Sequence, residues 1–306
     1  MNIAVLGATS QIARDFVQTS IGAGKHTFSL FARRPDVVER WATDLGIADR
    51  VAIAAFDSFT SDRHYDAIIN FVGAGNPAVT KSMGASILDI TLEFDSLALG
   101  YLKVHPDTKY IFLSSGAVYG ADFSKPVDQS TASRFNINHL QPQDWYGIAK
   151  FYAESRHRAL AELSIVDIRV FGYFSHSQDL TAKFLISDIL QAIESGQVLE
   201  TGADNIVRDY IGPAELAALV NGVLDAATTN VAVDIYSSAP VDKFTLLKTM
   251  QDQFGLQWQI QPTSVGVNAT GAKANYYSQS TRAAQVFGYS PKKTSMEIIL
   301  EQIKKA

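Results

Sequence analysis

The stretch WYGIAK, residues 145–150, sets a phenol four places before an amine. On a helix, positions i and i+4 project side by side, so Tyr146 and Lys150 would share one face. A phenol titrates near pH 10 in water, and a neighbouring ammonium favours its ionised form. Such a pair can give or take a proton at a carbonyl or an alcohol. The same spacing also occurs on the stripe of an ordinary helix, so the other elements must decide between the two.

Those elements alternate. NIAVLG (2–7), HTFSLFA (26–32), VAIAAF (51–56), YDAIINFVG (65–73), KYIFLSS (109–115) and SIVDIRVF (164–171) are short continuous apolar runs bounded by turn residues, the pattern of buried strands. Helical stretches are expected near 11–22, 36–46, 78–104 and 143–163. Strand–helix alternation predicts a doubly wound parallel sheet with helices on both faces. Beyond residue 172 the pattern loosens. Helices are expected at 179–195, 213–226, 243–254 and 294–304, and short strands near 197–200, 206–211, 232–237 and 256–261. The chain therefore reads as a dinucleotide-binding domain over 1–172 and a smaller lobe over 173–306, interleaved with the first.

The turn GATSQIA follows the first strand and opens the first helix, where a pyrophosphate sits on free backbone N–H groups. Gly7, Thr9, Ser10, Gln11 and Ile12 are the candidate lining, although a plain strand–turn–helix with one useful glycine has the same appearance. Phe71, Val72 and Gly73, ending the fourth strand, are candidates for the next part of the dinucleotide. The second strand ends in FARRPD. An acidic residue there would bind the ribose hydroxyls of NAD. Arg33 and Arg34 instead suit the 2′-phosphate of NADP, or are two solvated surface residues. Asp57, after the third strand, is a candidate for the adenine amino group.

Bulk properties narrow the class. The 306 residues are 47% hydrophobic and 19% charged, an ordinary globular composition. The net charge of −5, without a basic tract, argues against a nucleic-acid partner. No cysteine is present, which excludes disulfides and thiolate chemistry. The six histidines are scattered without ligand spacing, so no metal is expected. No signal peptide or membrane span is read, and a cytoplasmic location is expected.

FLSSGAVYG (112–120) followed by WYGIAK resembles the extended short-chain dehydrogenase/reductase family, the nucleotide-sugar epimerases, dehydratases and reductases. VRDYIGPAELAALV (207–220), IRVFGYF (168–174), YSSAP (236–240) and TRAAQVFGYSP (281–291) are similar to later segments of that family. The resemblance spans nearly the whole chain. It implies a Rossmann-type α/β fold, with a doubly wound parallel sheet and a small α/β C-terminal substrate-binding lobe. It also implies a hydride-transfer site in which Ser115 orients the reacting oxygen, Tyr146 moves the proton and Lys150 holds the nicotinamide ribose. Arg208 matches the arginine that grips a substrate diphosphate, with a structural salt bridge as the other reading. Tyr119 would form a wall of the substrate site. The inserted RFNINHLQPQD adds Arg134, Asn136, His139 and Gln141 as candidates for specificity, or as ordinary loop residues.

The sequence also departs from the family pattern. Gly7, Ser10 and Ala13 stand where the family has three glycines, Gly172 replaces an asparagine, and Thr91 takes the place of the helix asparagine. Gly116 and Ala117 replace the acidic pair of the dehydratases. With dehydration disfavoured and Arg33 and Arg34 pointing to NADPH, the expected activity is an NADPH-dependent ketoreductase for a nucleotide-activated keto-deoxy sugar. An NAD-dependent 4-epimerase is the alternative, followed by a reductase of a non-nucleotide carbonyl and a non-catalytic dinucleotide sensor. The expected partners are NADP(H), or NAD(H), and a nucleoside-diphosphate sugar, with a homodimer through helices 78–104 and 143–163.

Overall fold

The computed structural model describes residues 1–22, 24–73, 80, 82–182, 184–261 and 273–305. Its first part runs β1 (Asn2–Leu6), α1 (Gln11–Ile21), β2 (Thr27–Phe31), α2 (Pro35–Asp44), β3 (Val51–Ala54), β4 (Ala67–Asn70), α3 (Ser86–Leu102), β5 (Lys109–Ser115), α4 (Asp144–Arg158) and β6 (Ile165–Val170). There follow α5 (Leu185–Ser195), β7 (Leu199–Thr201), β8 (Val207–Arg208), α6 (Pro213–Asp225), β9 (Val231–Asp234), β10 (Val241–Asp242), α7 (Lys243–Phe254), β11 (Trp258–Ile260), β12 (Asn275–Tyr276), α8 (Arg282–Phe287) and α9 (Ser295–Ile303).

One parallel sheet organises the molecule, in the order β3-β2-β1-β4-β5-β6-β9. Side chains alternate across a strand. Ile3 and Val5 therefore enter the core under α1, α2 and α6, whereas Ala4 and Leu6 enter the one under α3 and α4. Burial on both faces explains why the strands read as continuous apolar runs. The winding reverses between β1 and β4, and in open sheets of this kind ligands bind outside the carboxyl ends of the strands at that point. Gly7, Gly73 and Ser115 all lie at these ends.

Several boundaries differ from expectation. The helix expected over 78–104 begins partly outside the described residues. The one expected to reach 163 stops at Arg158, where Asn230 Nδ2 collects the carbonyls of His157, Leu160 and Leu163 at 3.0, 2.7 and 3.2 Å. Helix α5 starts at Leu185, because Asp179 turns the preceding residues by accepting from Thr181 N at 2.9 Å. The strand expected at 232–237 is β9, the seventh strand of the main sheet, paired with β6. The two-residue strands β10 and β12 and the six-residue α8 were not expected, since none is long enough to show a period. The strands β10-β8-β12 form a small sheet, and α5, α7 and α9 share an apolar core in the same region.

Candidate active site

The site begins where β1 ends. Gly7 has φ +84°, and a Cβ there would lie 2.9 Å from the Val72 nitrogen. Conformation and close approach both require glycine. The N–H groups of Gly7 and Ala8 donate to Phe31 O, at 2.9 and 3.0 Å, which folds the turn back over β2. Ser10 is the N-cap residue of α1, and no side chain caps it among the described residues. Thr9, Ser10, Gln11 and Ile12 remain partly exposed there. Ala13 is buried in the core, so the missing glycines still allow close helix–sheet packing. The Gln11 amide is engaged, donating to Ser175 Oγ at 2.8 Å.

Of the β4 end, Phe71 is buried against Phe16 and offers only its backbone. Val72 N is held by Asn70 Oδ1 at 2.9 Å. Gly73 lies beside Lys150, since a Cβ on it would be 3.5 Å from Lys150 Nζ. Arg33 and Arg34, after β2, and Asp57, after β3, are all exposed at the same edge of the sheet.

Ser115, Tyr146 and Lys150 come together over β5. Ser115 is the last residue of β5 and is buried, its Oγ accepting from Ala117 N at 3.2 Å. Tyr146 lies in the first turn of α4. Gly147 explains how that helix approaches so closely: a Cβ there would be 2.5 Å from the Ala117 carbonyl oxygen. Lys150 is 2% exposed. Its Nζ donates to Leu113 O at 2.8 Å, and lies 4.2 Å from the Phe112 ring centroid and 5.8 Å from that of Tyr146.

Burial dominates the electrostatics of the pair. Burial raises the Tyr146 phenol above its ordinary range, and a hydrogen bond with Ser115 only partly opposes this. The amine of Lys150 is turned to Leu113 O. Burial also lowers Lys150 itself, to about 8, against the pull of Asp95, Glu154 and Asp167. The protein alone therefore holds the phenol as an acid.

Cationic and aromatic side chains meet on the far side of Ser115. Arg208 is 6% exposed, donates to the carbonyls of Val207 and Lys273 at 2.8 and 2.7 Å, and lies 5.9 Å from the Tyr276 ring centroid. Tyr276 in turn places its hydroxyl 3.4 Å from Ser115 Oγ. Lys273 Nζ sits over the rings of Phe123 and Tyr276, at 4.7 and 4.6 Å, and is lowered to about 8 by burial and by the charge of Arg208. Sequence reasoning missed Tyr276 and Lys273, which carry no motif.

The Tyr119 hydroxyl points away into an ion network, donating to Asp234 at 3.0 and 3.1 Å and accepting from Arg169 at 2.7 Å. Arg134, Asn136, His139 and Gln141 are exposed, although Arg134 fastens its loop by donating from N to Tyr119 O at 3.2 Å. Gly116 and Gly172 have no room for a side chain: a Cβ would meet the Phe171 ring and Asp209 O, each at 2.5 Å. Thr91 is buried, its Oγ1 without a hydrogen-bond partner among the described residues.

The model of the NAD dependent epimerase/dehydratase family matches residues 3–238. No curated protein matches the chain. A solved UDP-glucose-4-epimerase from Stenotrophomonas maltophila, with NAD and formylated UDP-arabinopyranose, is 17% identical over 100% of both chains, with TM-score 0.77. A dTDP-glucose 4,6-dehydratase from Bacillus anthracis, with NAD, is 15% identical over 99% of this chain and 96% of its own, with TM-score 0.79. A UDP-glucuronic acid 4-epimerase from Bacillus cereus, with UDP-glucuronic acid and NAD, is 15% identical over 100% and 99%, with TM-score 0.77. At these identities the likeness is one of fold.

Proposed function

This chain belongs to the NAD-dependent epimerase/dehydratase family, and we propose that within it the protein is an NADP(H)-preferring ketoreductase acting on a nucleoside-diphosphate keto-deoxy sugar. The observation that carries the reading is the end of β2. Two exposed arginines stand there, and the first acid, Asp36, is already engaged by Arg40 at 3.1 Å. Guanidinium groups at this edge suit a 2′-phosphate. The cradle at Gly7, which a Cβ would fill, and the first turn of α1 fit a pyrophosphate.

A bound nicotinamide dinucleotide supplies the hydride in reduction, or takes it up in oxidation. The chain's own groups handle the substrate oxygen. Ser115 Oγ donates a hydrogen bond to the carbonyl oxygen and orients it, and the Tyr146 hydroxyl delivers a proton to that oxygen as the alcohol forms. A phenol held protonated by burial is the form that reduction requires. Lys150 holds the nicotinamide ribose and carries the nearby positive charge. Arg208, with Lys273 beside it, supports recognition of a substrate diphosphate. Gly116 has no room for a carboxylate, which argues against dehydration.

A 4-epimerase is the second reading, favoured by the NAD-bound epimerases among the structural relatives. The retained Ser115, Tyr146 and Lys150 speak against a non-catalytic sensor. Exposed Leu92 on α3 and Phe151 and Tyr152 on α4 support a homodimer through these helices, and sedimentation showing only monomer at micromolar concentration would remove it. The activity is tested by incubating the protein with NADPH and a panel of nucleoside-diphosphate 4-keto-6-deoxy sugars. A ketoreductase oxidises one NADPH per alcohol formed. An epimerase interconverts UDP-hexoses with no net change in nicotinamide absorbance. Neither result with either panel would reject both readings.

A further inference from the structure

Beneath the site lies a buried ionic chain with no role in the chemistry above. His157 is 0% exposed and places Nε2 at 2.6 Å from Asp95 Oδ1 and Nδ1 at 2.6 Å from Asp167 Oδ1. Both ring nitrogens face carboxylate oxygens, which accept only, so both carry protons and the ring is an imidazolium. Burial opposes that charge, and the two carboxylates overcome it, pushing the ring up to about 9. Arg156 and Arg158 close the ends, on Asp95 at 2.6 Å and Asp167 at 2.7 Å. The carboxylates sit at different ring nitrogens, and no metal-holding group of this kind occurs among the described residues.

The chain reaches the site at two points. Tyr110 donates its hydroxyl to Asp95 at 3.0 Å and accepts from Asn70 Nδ2 at 3.0 Å, and Asn70 Oδ1 fixes the Val72 N–H. His157 also lies seven residues after Lys150 on α4, on the same face. The carboxylates that act on Lys150 are Asp95 on α3, Glu154 on α4 and Asp167 on β6, and the cations paired with them are His157, Arg156, Arg158 and Arg169. Glu154 is itself engaged by Arg169 and Ser114. From β5 the Phe112 ring and Leu113 O meet the amine.

We propose that Asp95, His157 and Asp167 are a buried positioning network, which holds the charged Lys150 and the Asn70–Gly73 strand end in register for the dinucleotide. The proposal rests on reading the Gly73–Lys150 region as the cofactor site, but its first test needs no ligand. In protein labelled at lysine Cε, the Lys150 signal, assigned by its loss in Lys150→Met, is titrated by NMR. In Asp95→Asn it should lose its proton at least half a pH unit lower than in wild type, with Asp167→Asn moving the same way. An unmoved Lys150 titration in folded Asp95→Asn overturns the proposal.

The second test is NADH and NADPH affinity at pH 6.5 and 8.5. Asp95→Asn should weaken binding at least about two-fold more at the higher pH, the factor by which a half-unit shift lowers the charged fraction of Lys150. An equal factor at both pH values would make the network purely structural. If wild type binds neither nucleotide, the cofactor reading fails while the lysine titration still decides the network. If neither variant folds, the wild-type ring decides through its ¹⁵N shifts: two protonated nitrogens up to pH 8 support the network, and a neutral ring at pH 7.5 overturns it.

Discussion

Lys150 Nζ donates a 2.8 Å hydrogen bond to the carbonyl oxygen of Leu113, two residues before Ser115 on β5. The bond ties α4 to the strand end and so sets Tyr146 opposite Ser115. It is made by a buried amine lowered to about 8, against about 10.4 when free. Between these values the unfolded chain binds more protons, so this group's contribution to stability rises with pH and is unfavourable at neutrality. Lys150→Met should therefore raise the thermal midpoint at pH 7, by the equivalent of about 2 kcal/mol, while lowering kcat by at least about 100-fold. Melts at pH 7 and pH 10 check the sign, because the gain should shrink at the higher pH.

Tyr146→Phe removes the proposed proton donor and its hydrogen bond with Ser115. Turnover should fall on the order of 10²–10⁴-fold, with dinucleotide affinity within two-fold of wild type by fluorescence titration (roughly 0.4 kcal/mol). A wild-type rate in this variant would remove Tyr146 from the mechanism.

Arg208→Ala should raise KM for a nucleoside-diphosphate sugar by roughly 10-fold or more, the scale of a lost charge-assisted hydrogen bond. The dinucleotide dissociation constant should not move. Steady-state kinetics and a separate cofactor titration distinguish this from general damage, which would change both.

Gly7→Ala introduces a Cβ at φ +84° and 2.9 Å from Val72 N. Strain and overlap together should destabilise by about 1–3 kcal/mol, read from denaturant midpoints. NAD(P)H affinity should fall in parallel, because the same turn fits the pyrophosphate.

Much of the fold was legible because it rests on long signals. Six of the seven strands in the main sheet are apolar runs followed by turns, and the helices of the first half each run ten residues or more. The WYGIAK stripe showed which face Tyr146 and Lys150 share. The rest depends on the assembled chain. Tyr276 belongs to a two-residue strand and Lys273 precedes it, and they meet Ser115 and Arg208 only once β12 pairs with β8. That the Tyr119 hydroxyl is consumed by Asp234 and Arg169 could not be read either, because these residues lie on three separate elements. The direction of the Tyr146 shift depends on burial, which spacing does not report.

The most direct measurement is a paired titration of wild type and Arg33→Ala/Arg34→Ala with NADPH and NADH, followed by nicotinamide fluorescence. Wild type should prefer NADPH by at least about 10-fold, and the double variant should lose that preference while its NADH affinity stays within two-fold, since only contacts to the 2′-phosphate are removed. Tightly retained NAD with no preference for the phosphate in wild type would contradict it. That outcome would make the arginine pair a solvated edge and the protein an epimerase.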